Sequence, residues 1–246
     1  MPEVTSSLQN LLMSKDWVGF DLDDTLHEFR IASNAASSGI FDRVHRDYGV
    51  PLEDLRLSYR QILTDMTAGA FADGKLSSDY RRERFAALLH SQDIVAPSGY
   101  LECLLAVYKR TLASSLCLKA GALDLLERLK TLEKKIIIIT EGPWDAQDWT
   151  IEQLGLKDYV DVLVTSNELK TSKTDGLFGQ VLRKYDIPAS QMIYIGDNEL
   201  RDILPAEAEG IMAIHVSENS RVCVDPEQGS IKIDALTRLM CLFNDC

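Results

Sequence analysis

The side chains in this sequence with the clearest chemical potential lie between Asp16 and Leu26, where a short apolar run ends in Asp21, Leu22, Asp23, Asp24 and Thr25. A strand buried in a parallel sheet is normally apolar along its length. Carboxylates crowded at its end repel one another and raise one another's pKa unless a cation neutralises them. Alternation along an extended chain puts Asp21 and Asp23 on the same side, so both can face one ligand at the carboxyl end of a strand. The pattern points to a metal site; taken alone, it also fits an acidic turn capping the next helix.

Other runs extend the chemistry. Thr140 closes the apolar run KIIIIT, Lys173 follows a later strand signal, and GDNELRD at Gly196 to Asp202 follows another. Singly, these read as a helix N-cap, a solvated lysine and a turn with a capping aspartate. All of them fall at or just beyond predicted strand ends, where ligands collect in a parallel sheet. Asp21 and Asp197 offer hard oxygen ligands suited to magnesium. A metal-bound carboxylate is a poor base but can act as a nucleophile on a phosphate, giving an aspartyl-phosphate. Asp23 is then placed to protonate the leaving oxygen and afterwards to take a proton from the hydrolytic water. Thr140 and Lys173 would hold the phosphoryl oxygens, with Lys173 offsetting transition-state charge. Asp202 would orient Lys173 or a water on the metal, with Asn198 as a further supporting group.

Positioning these groups requires a sheet, and the periodicity supplies one. Strand signals at Ile136–Thr140, Asp161–Thr165, Met192–Ile195 and Met212–Val216 alternate with helical patterns at Gly121–Lys135, Asp145–Leu154, Leu177–Tyr185 and Pro205–Glu209, before a final helix at Asp234–Phe243. Alternation of this kind predicts an α/β fold with a doubly wound parallel sheet. From Ile31 to Leu116 strand signals are absent. Helical spacing instead runs over Ile31–Tyr48, Leu52–Met66, Ser77–His90 and Gly99–Ala113. The expected organisation is a Rossmann-like core of residues 1–30 and 117–246 with a four-helix insertion at 31–116. The insertion's arginines, among them Arg56, Arg60, Arg81 and Arg84, read as solvated helix faces.

DLDDT at Asp21 to Thr25, the apolar strand ending in Thr140, then Lys173 and GDNELRD resemble, in that order, the motifs of the haloacid dehalogenase (HAD) superfamily of hydrolases. The insertion resembles the helical cap of the subgroup containing haloacid dehalogenase and phosphoglycolate phosphatase. The resemblance implies a magnesium-dependent phosphatase acting on a small phosphate monoester. It also implies that the Asp23 carbonyl joins Asp21 and Asp197 as a metal ligand, that Thr140, Glu141, Gly142 and Lys173 form the phosphate side, and that the cap excludes water and selects substrate. Glu141 is a departure, because members often carry a small or amide residue there. An acid beside a phosphate repels it unless the acid points away or binds a cationic substrate group. Gly142 fits either a close approach of backbone to phosphate or a plain turn. A haloacid dehalogenase would not need Asp23, since halide leaves unprotonated. A phosphomutase stays open, and a non-enzymatic binding protein is disfavoured by the presence of both Asp21 and Asp197.

The chain has 246 residues, 46% apolar, and a formal charge of −12. That charge argues against nucleic acid or an anionic membrane as partner, while a small phosphorylated substrate needs only a local cation cluster. Five scattered cysteines without a CxxC pair, and neither a leader nor a long apolar segment, lead to the expectation of a cytoplasmic protein. His27, Glu28 and Arg30 fall at the junction of core and insertion, where a histidine is usually a packing or capping residue.

Overall fold

The computed structural model describes residues 2–66, 71, 73–218, 223–225 and 230–243. Helix α1 (Pro2–Met13) leads into strand β1 (Trp17–Phe20). The chain then leaves for α2 (Phe29–Tyr48), α3 (Leu52–Met66), α4 (Ser77–Ser91) and α5 (Tyr100–Ser115), and returns through α6 (Ala122–Thr131) to β2 (Lys135–Thr140). Strand and helix alternate from there: α7 (Trp144–Gln153), β3 (Val162–Thr165), the single turn α8 (Ser166–Leu169), α9 (Leu177–Tyr185), β4 (Met192–Gly196), α10 (Leu204–Ala208) and β5 (Met212–Val216). β6 (Cys223–Asp225), β7 (Ser230–Ile233) and α11 (Leu236–Leu242) follow.

The sheet order is β3-β2-β1-β4-β5-β7-β6, parallel except for the antiparallel pairing of β6 with β7. The last two strands, β6 at the edge and β7 beside it, were not expected from the sequence. β6 is only 3 residues long and β7 reads SIKI, and strands this short at the margin of a sheet do not need the apolar run that marks a central strand. The predicted Gly121–Lys135 helix instead stops at Thr131. Glu133 turns the chain at φ 57°, and Lys135 already pairs with Trp17 at the head of the β-branched run.

Strand alternation divides the core between the two faces. Val18, Phe20, Ile136, Ile138 and Ile195 pack with α1, α6 and α11, while Ile137, Ile139 and Tyr194 pack with α9. The sheet is therefore covered on both sides, as a doubly wound fold requires. Helices α2 to α5 bury a separate cluster that includes Ile40, Phe41, Leu55, Phe85, Leu88 and Leu104. The two chain crossings between sheet and insertion run side by side. His27 bridges Leu118, Glu28 N–H donates to the Cys117 carbonyl at 2.9 Å, and Lys119 N–H donates to the Leu26 carbonyl at 2.9 Å.

Among the described residues, no helix is long and apolar enough to cross a membrane. Cys103, Cys117 and Cys241 are free thiols. The side chains of Cys223 and Cys246 lie outside the described residues.

Candidate active site

β1 lies between β2 and β4, which connect to opposite halves of the sheet, so the crevice beyond its carboxyl end is the topological switch point. Phe20 pairs with Ile138 on one side and Ile195 on the other, and Asp21 N–H extends the ladder by donating to the Ile195 carbonyl at 2.9 Å. Asp21 is only 6% exposed. Thr140 ends β2, and Asp197 follows β4 directly.

Lys173 binds the centre together. Its Nζ donates to Asp21 Oδ1 at 2.5 Å and to Asp202 Oδ1 at 2.6 Å, with all three side chains buried. Asp202 Oδ2 also accepts from Asn198 N–H at 3.0 Å. This fold-back needs Gly196, where a Cβ would sit 2.5 Å from the Asp202 Cβ. Burial raises the Asp21 pKa well above the carboxylate range; Lys173 opposes the rise, while Asp202 and Asp23 add to it. Burial works against the Lys173 charge, but Asp202 and Asp21 outweigh it and raise the ammonium's pKa. The Asp197 pKa is raised by burial and then by Asp202, against the pull of Arg30, whose Nη2 lies 3.4 Å from Asp197 Oδ2.

Asp23 sits in a different setting. Its Oδ1 meets His27 Nε2 at 2.9 Å and its Oδ2 accepts from Gln147 Nε2 at 3.3 Å. His27 is fully buried, so its ring fixes the carboxyl instead of merely filling space. Asp24 adopts φ 62° and accepts from Arg30 N–H at 3.0 Å, satisfying a free donor in the first turn of α2.

The loop after β2 answers the question raised by Glu141. Glu141 Oε1 accepts from Lys173 N–H at 2.9 Å, and the carboxylate forms an ion pair with Arg201. Its charge is thus neutralised within the protein. Gly142 has φ 147° and sends its N–H to Ser166 Oγ at 3.2 Å, and a Cβ there would lie 2.7 Å from Gln147 Nε2. The glycine makes room for Gln147. Thr140 Oγ1 is buried with no hydrogen-bond partner among the described residues. Asn198 Oδ1 accepts from the N–H groups of Leu200 and Arg201, each at 3.1 Å, and so shapes the wide turn that carries Asp202.

Carboxylate oxygens of Asp21, Asp197 and Asp202 lie within 4.8 Å of one another. An all-oxygen, acidic donor set of this kind fits magnesium. Asp202 already has both oxygens engaged, by Lys173 and by Asn198 N–H, which leaves Asp21 and Asp197 as the freer carboxylates.

His27 and Gln147 were not singled out as site residues by the sequence. His27 lies four residues beyond Asp23, but in a loop that offers no helical period to suggest contact, and Gln147 reaches the site only because of Gly142.

Known proteins resemble the chain over most of its length. A family model described as haloacid dehalogenase-like hydrolase matches residues 18–216. The pyrimidine 5'-nucleotidase YjjG of Escherichia coli strain K12 is 28% identical over 216 residues, covering 85% of this chain and 89% of that protein. The glyceraldehyde 3-phosphate phosphatase of Methanocaldococcus jannaschii is 24% identical over 230 residues, covering 90% and 93% of the two chains. Among solved structures, YfnB from Bacillus subtilis, bound to magnesium, superimposes with a TM-score of 0.68 at 23% identity, covering 94% of this chain and 99% of that one.

Proposed function

Because the chain belongs to the haloacid dehalogenase-like hydrolase family, we propose that it is a magnesium-dependent phosphatase that hydrolyses a small-molecule phosphate monoester through an aspartyl-phosphate. The observation that carries the reading is the Asp23 carboxyl, held between His27 and Gln147 on the wall of a cavity and two residues from the buried Asp21. An acid so placed serves a leaving group that must be protonated, as an alcohol must and a halide need not.

An Asp21 carboxylate oxygen attacks phosphorus, and the bond from phosphorus to the ester oxygen breaks. Asp23, protonated in this step, gives its proton to the departing oxygen. A water then attacks the phosphorus of the acyl phosphate, Asp23 takes a proton from it, and the Asp21 carboxylate is restored as orthophosphate leaves. Thr140 Oγ1, buried without a partner among the described residues, and Lys173 Nζ supply donors for the phosphoryl oxygens. Asp202 keeps Lys173 charged and aimed. Asp21, Asp197 and the Asp23 carbonyl would hold magnesium, which supplies the positive charge that lets an anionic carboxylate approach an anionic phosphate. Residues 31–116 act as the cap over a core formed by residues 1–30 and 117–246.

A screen of sugar phosphates, nucleoside monophosphates, phosphoglycolate and other small esters, measuring orthophosphate release, tests the reading. Turnover is expected with magnesium and not after chelation. Halide release from a haloacid, with no phosphate released from any ester, would overturn it.

The metal role has a second readout that needs no substrate. At tenfold over its Kd, magnesium should stabilise the protein by about 1.4 kcal/mol, raising Tm by about 3–6 °C. Because the pKa values of Asp21 and Asp197 are raised in the metal-free fold, these groups favour that fold at low pH and their contribution is lost as pH rises through the raised values. The magnesium-induced shift should therefore be small near pH ~4 and grow toward neutrality. Paired thermal melts check this, and Asp197→Asn should remove the shift at every pH.

A further inference from the structure

The cavity that Asp23 lines has a volume of about 640 Å³, ample for a small metabolite, and extends into the helical insertion. The insertion contributes Arg60, Arg81 and Arg84 to its lining. Helical periodicity reads Arg84 as part of a solvated face, but it shares the cavity lining with Tyr59 of α3, Tyr108 of α5 and Phe71. Its guanidinium lies 5.5 Å above the Phe71 ring, and its Nε and Nη2 are shielded from water with no hydrogen-bond partner among the described residues. The neighbouring acid, Glu83, is engaged by Lys75 at 3.0 Å. Arg81 sits 5.0 Å above the Tyr108 ring.

Each guanidinium lies over an aromatic ring, and on Arg84 the Nε and Nη2 donors are left for an acceptor. A buried charged donor without an acceptor is costly, and a ligand that brings one relieves the cost. Glu141, which also lines the cavity, is already neutralised by Arg201, so it does not offset the charge of Arg84.

We infer that the substrate carries a second anionic group, a phosphate or a carboxylate, at the end remote from the reacting phosphate, and that Arg84 receives it with Arg81 beside it. The inference rests on the phosphatase reading, which sets the reacting phosphate at Asp21, two residues from the cavity-lining Asp23.

The test uses alkyl phosphates of one chain length ending in hydroxyl, carboxylate or a second phosphate. With magnesium, the wild type should turn over at least one charged-ended ester with kcat/KM about tenfold or more above the hydroxyl-ended one, chiefly through KM. Which charged end wins decides between carboxylate and phosphate. In Arg84→Gln the ratio of charged to neutral should collapse toward one, and Arg84→Lys should restore part of it. Should Arg84→Gln fail to fold, Arg81→Gln, at a half-buried position, should reduce the same ratio.

Calorimetric binding of the series to Asp21→Asn gives the same comparison without turnover, with charged-ended members expected to bind about tenfold tighter. A wild-type ratio near one, a ratio that survives Arg84→Gln, or nucleoside monophosphates outrunning every doubly charged ester would overturn the inference. The first two results, seen alongside phosphate release from the hydroxyl-ended ester, would leave the phosphatase reading standing. No release from any ester, with selective binding of the charged ends, would do the reverse.

Discussion

Asp21→Asn is expected to lower phosphate release by at least about 10³-fold, about 4 kcal/mol of barrier, on any ester the wild type hydrolyses. An amide cannot replace the carboxylate as nucleophile. The fold should survive, since Lys173 keeps Asp202 as a partner at 2.6 Å and a neutral side chain relieves the burial that raises the Asp21 pKa. Asp23→Asn makes a sharper companion. On an alkyl ester it should cost about 10²–10⁴-fold, because the leaving oxygen needs a proton. On an aryl ester, whose phenolate leaves more readily, the first step should proceed and the second stall. Intact-mass spectrometry should then find a phosphoryl adduct of about 80 Da on Asp23→Asn and none on Asp21→Asn. An Asp21→Asn enzyme retaining a tenth of wild-type turnover would remove the nucleophile assignment.

Lys173→Met should be the most destabilising single change at the site. Lys173 is 3% exposed between two buried carboxylates, and removing one partner of a buried ionic cluster typically costs about 3–5 kcal/mol. Turnover should fall with it by about 10²-fold, as a phosphate-side cation is lost. The pH dependence separates this mechanism from simple loss of packing. The Lys173 pKa is raised in the fold, so its stabilisation is present below about pH 10.4 and is lost only as pH rises through the still higher folded value. In the variant the penalty comes from ionised Asp21 and Asp202. Denaturant unfolding should therefore show the deficit shrinking as pH falls below the raised Asp21 pKa, and magnesium, by neutralising Asp21, should reduce it at neutral pH. A deficit independent of both pH and magnesium would point to packing alone.

What could be read from the chain alone followed from strand ends. Asp21, Thr140, Lys173 and Asp197 stand at or just past short apolar runs, and parallel strands bring their carboxyl ends to one crevice whatever the connections do. The marginal pair β6 and β7 went unread because three or four partly polar residues are too few for an alternation to stand out. His27 and Gln147 went unread for another reason. Their contacts with Asp23 depend on a loop bridge and on the backbone turn at Gly142, which are tertiary facts without a period in the sequence. Arg84 lies on a helix whose polar residues look solvated until the neighbouring helices and Phe71 close around it.

The paired crossings at His27 and Leu118 bear on how such a protein can change over time. A segment whose two ends lie within hydrogen-bond distance closes its own loop, so lengthening, shortening or exchanging it alters loop-closure entropy only logarithmically. The central strands need not shift register to accommodate a different insertion, and the acids at the end of β1 stay where they are. On the proposed reading, selectivity can then be rewritten by recombination or by insertions and deletions between Ile31 and Leu116, with Asp21, Asp23 and His27 inherited intact.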